Sequence, residues 1–164
     1  MKIRDAIAAD LTAIVDIYNQ SIPTRIATAD TEPITVADRL DWYHNHSDHR
    51  PLWIAEKQSR TLGWLSFQDF YGRPAYQPTA EISIYVATEY QGQGVGSRLL
   101  AKAIAQSPQI QLTTLLAFIF AHNQPSLKLF TNHGFQQWGH LPDIATLDGI
   151  ERSLIILGRK IDNS

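Results

Sequence analysis

Apolar positions along the chain fall into blocks of two periods. In AADLTAIVDIYNQ, residues 8 to 20, Leu11, Ile14, Val15 and Tyr18 recur at helical spacing, with Asp10 placed as an N-cap just ahead of them. This predicts an amphipathic first helix after a short strand near Ile3. SIPTRIATADTEPIT is rich in Thr, Pro and Ala and has no period. It predicts a loop ending where Thr35 caps a second helix through Leu40 and Tyr43. From PLWIAEK through TLGWLSFQDF the residues are apolar and β-prone, with a turn around Ser59 to Thr61, which predicts an antiparallel hairpin. After the loop YGRPAYQPT, the segment AEISIYVA alternates Ile82, Ile84 and Val86 with Glu81, Ser83 and Tyr85, a strand with two chemically different faces. EYQGQGVGSRLL then leads into a helix whose apolar stripe is Leu99, Leu100, Ala103 and Ile104 and which ends before Pro108. LTTLLAFIF predicts a buried strand, NQPSLKLFTNHGF a short helix closed by Gly134, and QQWGH and IERSLIILGRK two further strands. The order is α+β, mixed around one sheet.

Composition narrows the function. A chain of 164 residues, 44% hydrophobic and 18% charged, fits one globular domain spanning 1–164, without repeats, linkers or low-complexity tracts. A net charge of -2 without a run of like charges gives no grip on nucleic acid or an anionic membrane surface. Cysteine is absent, which removes disulfides, thiolate metal sites and cysteine nucleophiles together. No window approaches the ~18 apolar residues of a membrane helix and no signal peptide is legible at the start, so a soluble cytoplasmic protein is expected.

The glycine-rich turn carries the first chemistry. A strand, a flexible turn and a helix N-terminus together form an anion site, because free backbone N–H groups and the positive end of the helix dipole converge there. A phosphate or pyrophosphate fits. Gly96 is followed by Ser97 and Arg98, so the lysine of a nucleotide P-loop is missing. The dinucleotide pattern needs a third glycine at position 97, which is Ser, and an acidic residue ~20 positions on, which AQSPQIQLTTLL lacks. A purely structural turn is the alternative.

Gln91-Gly92-Gln93-Gly94-Val95-Gly96 resembles the Q/R-x-x-G-x-G/A motif of the GNAT acyl-CoA-dependent N-acetyltransferases, in its expected place between strand and helix. TADTEP, FYGRPAY, TAEISIYV and HNQPSLKLFTNHGF are similar, in the same order, to segments of the phosphinothricin and methionine sulfoximine N-acetyltransferase branch. The resemblance covers nearly the whole chain. It implies a mainly antiparallel central sheet flanked by helices in three α/β/α layers, acetyl-CoA as co-substrate without a metal, a small amine or amino-acid analogue as acceptor, and a homodimer.

It also implies roles. Glu81, by itself an ordinary exposed strand carboxylate, becomes the general base and an acceptor contact, working directly or through water. Coenzyme A is expected on Gln91, Gly92, Gln93, Gly94, Val95, Gly96 and Ser97, with its pantetheine arm along Ile84, Tyr85 and Val86. Asn123 and Ser126 open the helix after LTTLLAFIF; Asn123 is an ordinary N-cap to which the resemblance adds a cofactor contact. Tyr71, Gly72 and Arg73 are implied as substrate contacts, the guanidinium being suited to a carboxylate or phosphinate, although a solvated loop arginine is the plain alternative.

Two positions depart from the pattern. Phe130 stands where many GNAT enzymes have a tyrosine that protonates the leaving thiolate, and Ser153 stands where the branch commonly has Asp. The first leaves the general acid unassigned; the second bears on the substrate pocket or the subunit contact. His44, His46 and His49 read as a solvated helix end rather than a metal cluster, and the tryptophans and phenylalanines as core. Two other readings stay open: transfer to a peptide N-terminus or another small amine, and a non-catalytic acyl-CoA-binding module.

Overall fold

A computed structural model describes residues 1–162. Seven strands form one sheet in the order β1-β2-β3-β4-β5-β7-β6. They are β1 (Lys2–Asp5), β2 (Leu52–Lys57), β3 (Arg60–Asp69), β4 (Thr79–Val86), β5 (Thr114–Phe120), β6 (Gln136–Leu147) and β7 (Ile150–Lys160). Four helices complete the fold: α1 (Leu11–Ser21), α2 (Leu40–His44), α3 (Val95–Gln106) and α4 (Gln124–Asn132). Every neighbouring pair of strands is antiparallel except β4–β5. α3 supplies the crossover that a parallel pair requires.

Two apolar clusters hold the layers together. On one face, Leu99, Leu100 and Ala103 of α3 and Phe130 of α4 pack against Phe67, Ile82, Leu115 and Ala117. On the other, Ile14, Ile17 and Tyr18 of α1 pack against Ile54 and Trp64, with Trp42, Tyr43 and Tyr85 at the margin. β4 shows the alternation directly. Ile82, Ile84 and Val86 belong to the α3/α4 side, and Tyr85 joins the α1/α2 side.

The β2–β3 turn is made by Gln58 and Ser59, both left-handed at φ 51° and 62°, which is the twist that suits a two-residue hairpin. The α3 stripe and the Gly134 stop, at φ 85°, lie where the pattern placed them.

Four expectations change. The Asp10 carboxylate does not cap α1; it accepts from Arg4 at 2.8 and 3.0 Å and from the Ile7 N–H at 2.8 Å, so a nearby cation outcompetes the helix end. Thr35 and Asp38 do exchange backbone-to-side-chain bonds, at 2.9 and 3.2 Å. What they open, though, is a short 3-10 turn followed by the single turn of α2 rather than one longer helix. β6 runs on to Leu147 instead of stopping near His140, and returns through Asp148 and Gly149, at φ 52° and 79°. Asp-Gly is a hairpin signal, and the unpatterned LPDIAT before it hid the strand. The His44–His49 segment is not uniformly solvated. His44 and His49 are exposed, but the His46 ring sits edge-on to Trp42 and its Nε2 lies 2.7 Å from the Oγ of Ser66.

Candidate active site

The three loop glycines answer to different constraints. Gly92 and Gly94 have φ of 75° and 82°, a region side chains avoid, and a Cβ on either would meet nothing within 4 Å. Gly96 is needed for contact: its Cβ would lie 3.2 Å from Leu129 Cδ2 and 3.8 Å from Val86 Cγ2, where α3 crosses α4 and β4. The first helical bond of α3 runs from the Arg98 N–H to Gly94 O at 3.1 Å. The N–H groups of Val95, Gly96 and Ser97 therefore point out of the helix end unpaired, as an anion site requires. Ser97 Oγ is 2.9 Å from His133 Nε2, which braces this first turn against the end of α4.

β4 and β5 pair only over Thr79–Glu81 and Thr114–Leu116. Beyond that they part, while β4 stays bonded to β3 through Val86 and β5 to β7 through Phe120. The result is a cleft with a free strand edge on each wall. Ile84, Tyr85, Asn123, Ser126 and Phe130 line it together with Ala27. Asn123 is buried and its Oδ1 accepts from the Ser126 N–H at 3.3 Å, so it caps α4 and faces the cleft at once. Phe130 is buried against Phe135, with no hydroxyl to offer at that position.

Glu81 stands where the two strands begin to part, opposite Gln68 of β3 and Leu116 of β5. Burial pushes its carboxyl above the ordinary carboxylate range, with no ion pair among the described residues to offset the loss of water. On the same face Ser83 lies opposite Ser66, and Tyr85 stacks on Trp64 at 4.8 Å between ring centres. His46, two residues past the end of α2, reaches Ser66. Its Nδ1 is 3.3 Å from the Tyr43 carbonyl, which only accepts, so Nε2 takes the Ser66 hydroxyl proton; burial lowers the pKa of the ring.

The segment between α1 and α2 is pinned over this face. Tyr18 bonds Thr28 and Asp30 through its hydroxyl, Asn19 exchanges two bonds of 2.9 Å with Ile34, and the Tyr85 hydroxyl donates to Ala27 O at 3.2 Å. His122 Nε2 meets Arg25 O at 2.8 Å, and Arg25 pairs with Asp148 of the β6–β7 turn at 3.0 Å. None of Tyr18, His46 or His122 was singled out from sequence for this site. Their partners lie 10 to 97 positions away, beyond any local pattern.

The 71–73 segment lies apart from the cleft. Tyr71 is 79% exposed, and Gly72 and Arg73 line a separate cavity of about 720 Å³ with Arg50, Asp69 and Tyr76. Phe70 connects the two regions, stacking on Phe118 at 6.4 Å and meeting the tilted ring of Tyr71 at 4.5 Å. Ser153 is held within the β6–β7 hairpin. Its Oγ takes the Asp143 N–H at 3.0 Å and braces the irregular stretch of β6. Among the described residues no cluster of metal-binding side chains forms and no helix is long and apolar enough to cross a membrane.

Comparison with known proteins agrees with this geometry. The sequence model of the Acetyltransferase (GNAT) family matches residues 12–135. The chain is 50% identical to the "Putative phosphinothricin acetyltransferase YwnH" of Bacillus subtilis, over 98% of this chain and 99% of that one. It is 28% identical to the L-methionine sulfoximine/L-methionine sulfone acetyltransferase of Salmonella typhimurium, over 99% and 95%. The crystal structure of a GNAT superfamily phosphinothricin acetyltransferase from Sinorhizobium meliloti in complex with AcCoA superposes with a TM-score of 0.92 at 25% identity, covering 99% of this chain and 89% of that one.

Proposed function

The chain belongs to the GNAT acetyltransferase family, and from that premise we propose that it moves the acetyl group of acetyl-CoA to the α-amino group of a small amino-acid-like acceptor, of the phosphinothricin or methionine sulfoximine type. The observation that carries the reading is the cleft between β4 and β5, with Glu81 where the strands part and an unpaired helix N-terminus beyond the other end of β4. The relatives' names support the acceptor class.

In this mechanism the N–H groups of Gly94, Val95, Gly96 and Ser97 hold the pyrophosphate, with Gln91, Gly92 and Gln93 shaping the turn that presents them. Ile84, Tyr85 and Val86 offer the free edge of β4 to the pantetheine amides, and Asn123 and Ser126 close the opposite wall. Glu81 takes a proton from the acceptor ammonium. The freed amine attacks the thioester carbonyl, its nitrogen gives a second proton to solvent as the tetrahedral intermediate collapses, the C–S bond breaks, and coenzyme A leaves as thiolate. A thiol pKa of about 8.5 lets solvent supply its proton, so Phe130 is no obstacle. Burial raises the pKa of Glu81 and so makes it a stronger base than an exposed carboxylate. Tyr71, Gly72 and Arg73 stand across Phe70 from the cleft, in their own cavity, and serve the acceptor's approach rather than the reacting centre.

We place the enzyme in the cytoplasm and as a homodimer. β6 is an edge strand, and Trp138, Leu141, Ile144 and Ile150 expose apolar area on the β6–β7 hairpin, a surface suited to a second copy. A thiol-release screen across amino acids, their sulfone, sulfoximine and phosphinate analogues, simple amines and short peptides tests the function. Turnover confined to the amino-acid analogues is expected. Turnover with peptides alone would replace the acceptor class, and tight acetyl-CoA binding without turnover would make this a binding module.

A further inference from the structure

Two buried nitrogens have no hydrogen-bond partner at the upper end of β5: His122 Nδ1 and Arg152 Nε. Both flank one backbone contact. Phe120 pairs with Leu154, and the Ala121 N–H donates to Ser153 O at 2.9 Å. His122 follows in the turn that the Asn123 N–H closes on Phe120 O at 2.9 Å, and Arg152 precedes Ser153 in β7. Arg152 shares the face of β7 that carries Leu154 and Ile156, which is the Glu81 side because Ile155 and Leu157 belong to the α3/α4 core.

The place is the rim of the cleft. Asn123 and Ala27 line it, and His122 reaches Arg25 O across the same gap. The nearby acid is already committed, since Asp148 pairs with Arg25 at 3.0 Å, and Arg152 has no carboxylate within ion-pair distance among the described residues. An arginine N–H left unbonded and a cation left uncompensated in a half-buried position are costly arrangements that an oxygen-rich group relieves.

We propose that Arg152, with His122 beside it, is the subsite for the terminal oxygens of the acceptor side chain, a phosphinate, sulfone or sulfoximine, so that these residues set specificity. The inference rests on the amino-acid acceptor proposed above and extends it. The α-amino group lies toward Glu81, the Arg73 loop stands at the Phe70–Phe118 end, and the side-chain oxygens lie beyond Phe120.

The test is Arg152→Met, which keeps the length of the stem and removes the charge. Steady-state thiol release is compared for phosphinothricin or methionine sulfone and for norleucine, which shares the α-amino acid portion and ends in a methyl group. The expected result is a KM raised about ten- to a hundredfold for the oxygenated acceptors, with norleucine and acetyl-CoA constants unchanged and part of the loss restored in Arg152→Lys. An equal loss for both acceptors, or none, overturns the subsite. A second readout needs no turnover: phosphinothricin or methionine sulfone, added with coenzyme A, should raise the melting temperature of the wild type and not of Arg152→Met. No upshift in the wild type also overturns the subsite. Absence of thiol release from the wild type, with the upshift present and dependent on Arg152, counts against the proposed reaction alone.

Discussion

Gly94→Ala separates what the glycine loop does for the fold from what it does for the co-substrate. Gly94 is the N-cap of α3 at φ 82°, where a side chain costs about 1–2 kcal/mol. For a chain of this size that lowers Tm by roughly 2–8 °C. The added methyl meets no protein atom within 4 Å, so it clashes with nothing in the fold. It fills open space at the N-cap of α3, the end at which the proposed pyrophosphate must approach. Displacing one charge-assisted bond is worth about 1.5–3 kcal/mol, a rise of about ten- to a hundredfold in the acetyl-CoA KM. Gly149→Ala is the control. It sits at φ 79° in the β6–β7 turn, also with nothing within 4 Å of the added atom, and so carries the same strain at a distance from the loop. Differential scanning calorimetry and initial rates at varied acetyl-CoA read both effects. Equal loss of stability in the two variants with a changed KM in Gly94→Ala alone is the expected pattern; an unchanged acetyl-CoA KM in Gly94→Ala refutes the anion-site reasoning.

Two further outcomes follow from the same contacts. Burial raises the pKa of Glu81 in the folded chain, so the native state holds that proton more tightly than the unfolded one, whose value is about 4.3. Its burden is then absent at low pH and grows as pH rises through the raised value. Denaturant titrations should find Glu81→Gln more stable than wild type at pH 7 and equal to it below about pH 4; a constant difference contradicts the burial argument. Tyr18→Phe removes the hydroxyl that joins Thr28 and Asp30, so rates at varied acceptor should show the acceptor KM rising several-fold while the acetyl-CoA KM holds.

How much was legible from sequence depended on range. The α1 and α3 stripes, the short α4, the β2–β3 hairpin and the two faces of β4 are local patterns, and the structure follows them, with the hairpin turn at Gln58–Ser59 rather than around Ser59 to Thr61. The second half of β6 was not legible, because its pairing with β7 is broken by irregularities between Leu141 and Ala145 and its outward residues lack alternation. Asp10 reads as a cap until Arg4 is seen beside it. In the candidate site, the glycine motif announced the helix end but not that Gly96 is there for packing rather than for φ. Arg73 and Glu81 are eight positions apart in sequence, yet Arg73 lines a cavity apart from the point where β4 and β5 part at Glu81, since a loop's neighbours are set by the fold and not by spacing. His46 looked like one of three solvated histidines because nothing local points to its partner Ser66, twenty positions on.

The central claim is that this cleft performs acyl transfer with Glu81 as base, and thiol release by Glu81→Gln tests it most directly. With methionine sulfone or phosphinothricin as acceptor, the account predicts that kcat falls by about a hundred- to ten-thousandfold while the acetyl-CoA KM stays at the wild-type value and the wild-type acidic limb, set above the ordinary carboxylate range, disappears from the pH profile. A Glu81→Gln enzyme with full turnover and an unaltered pH profile would contradict it.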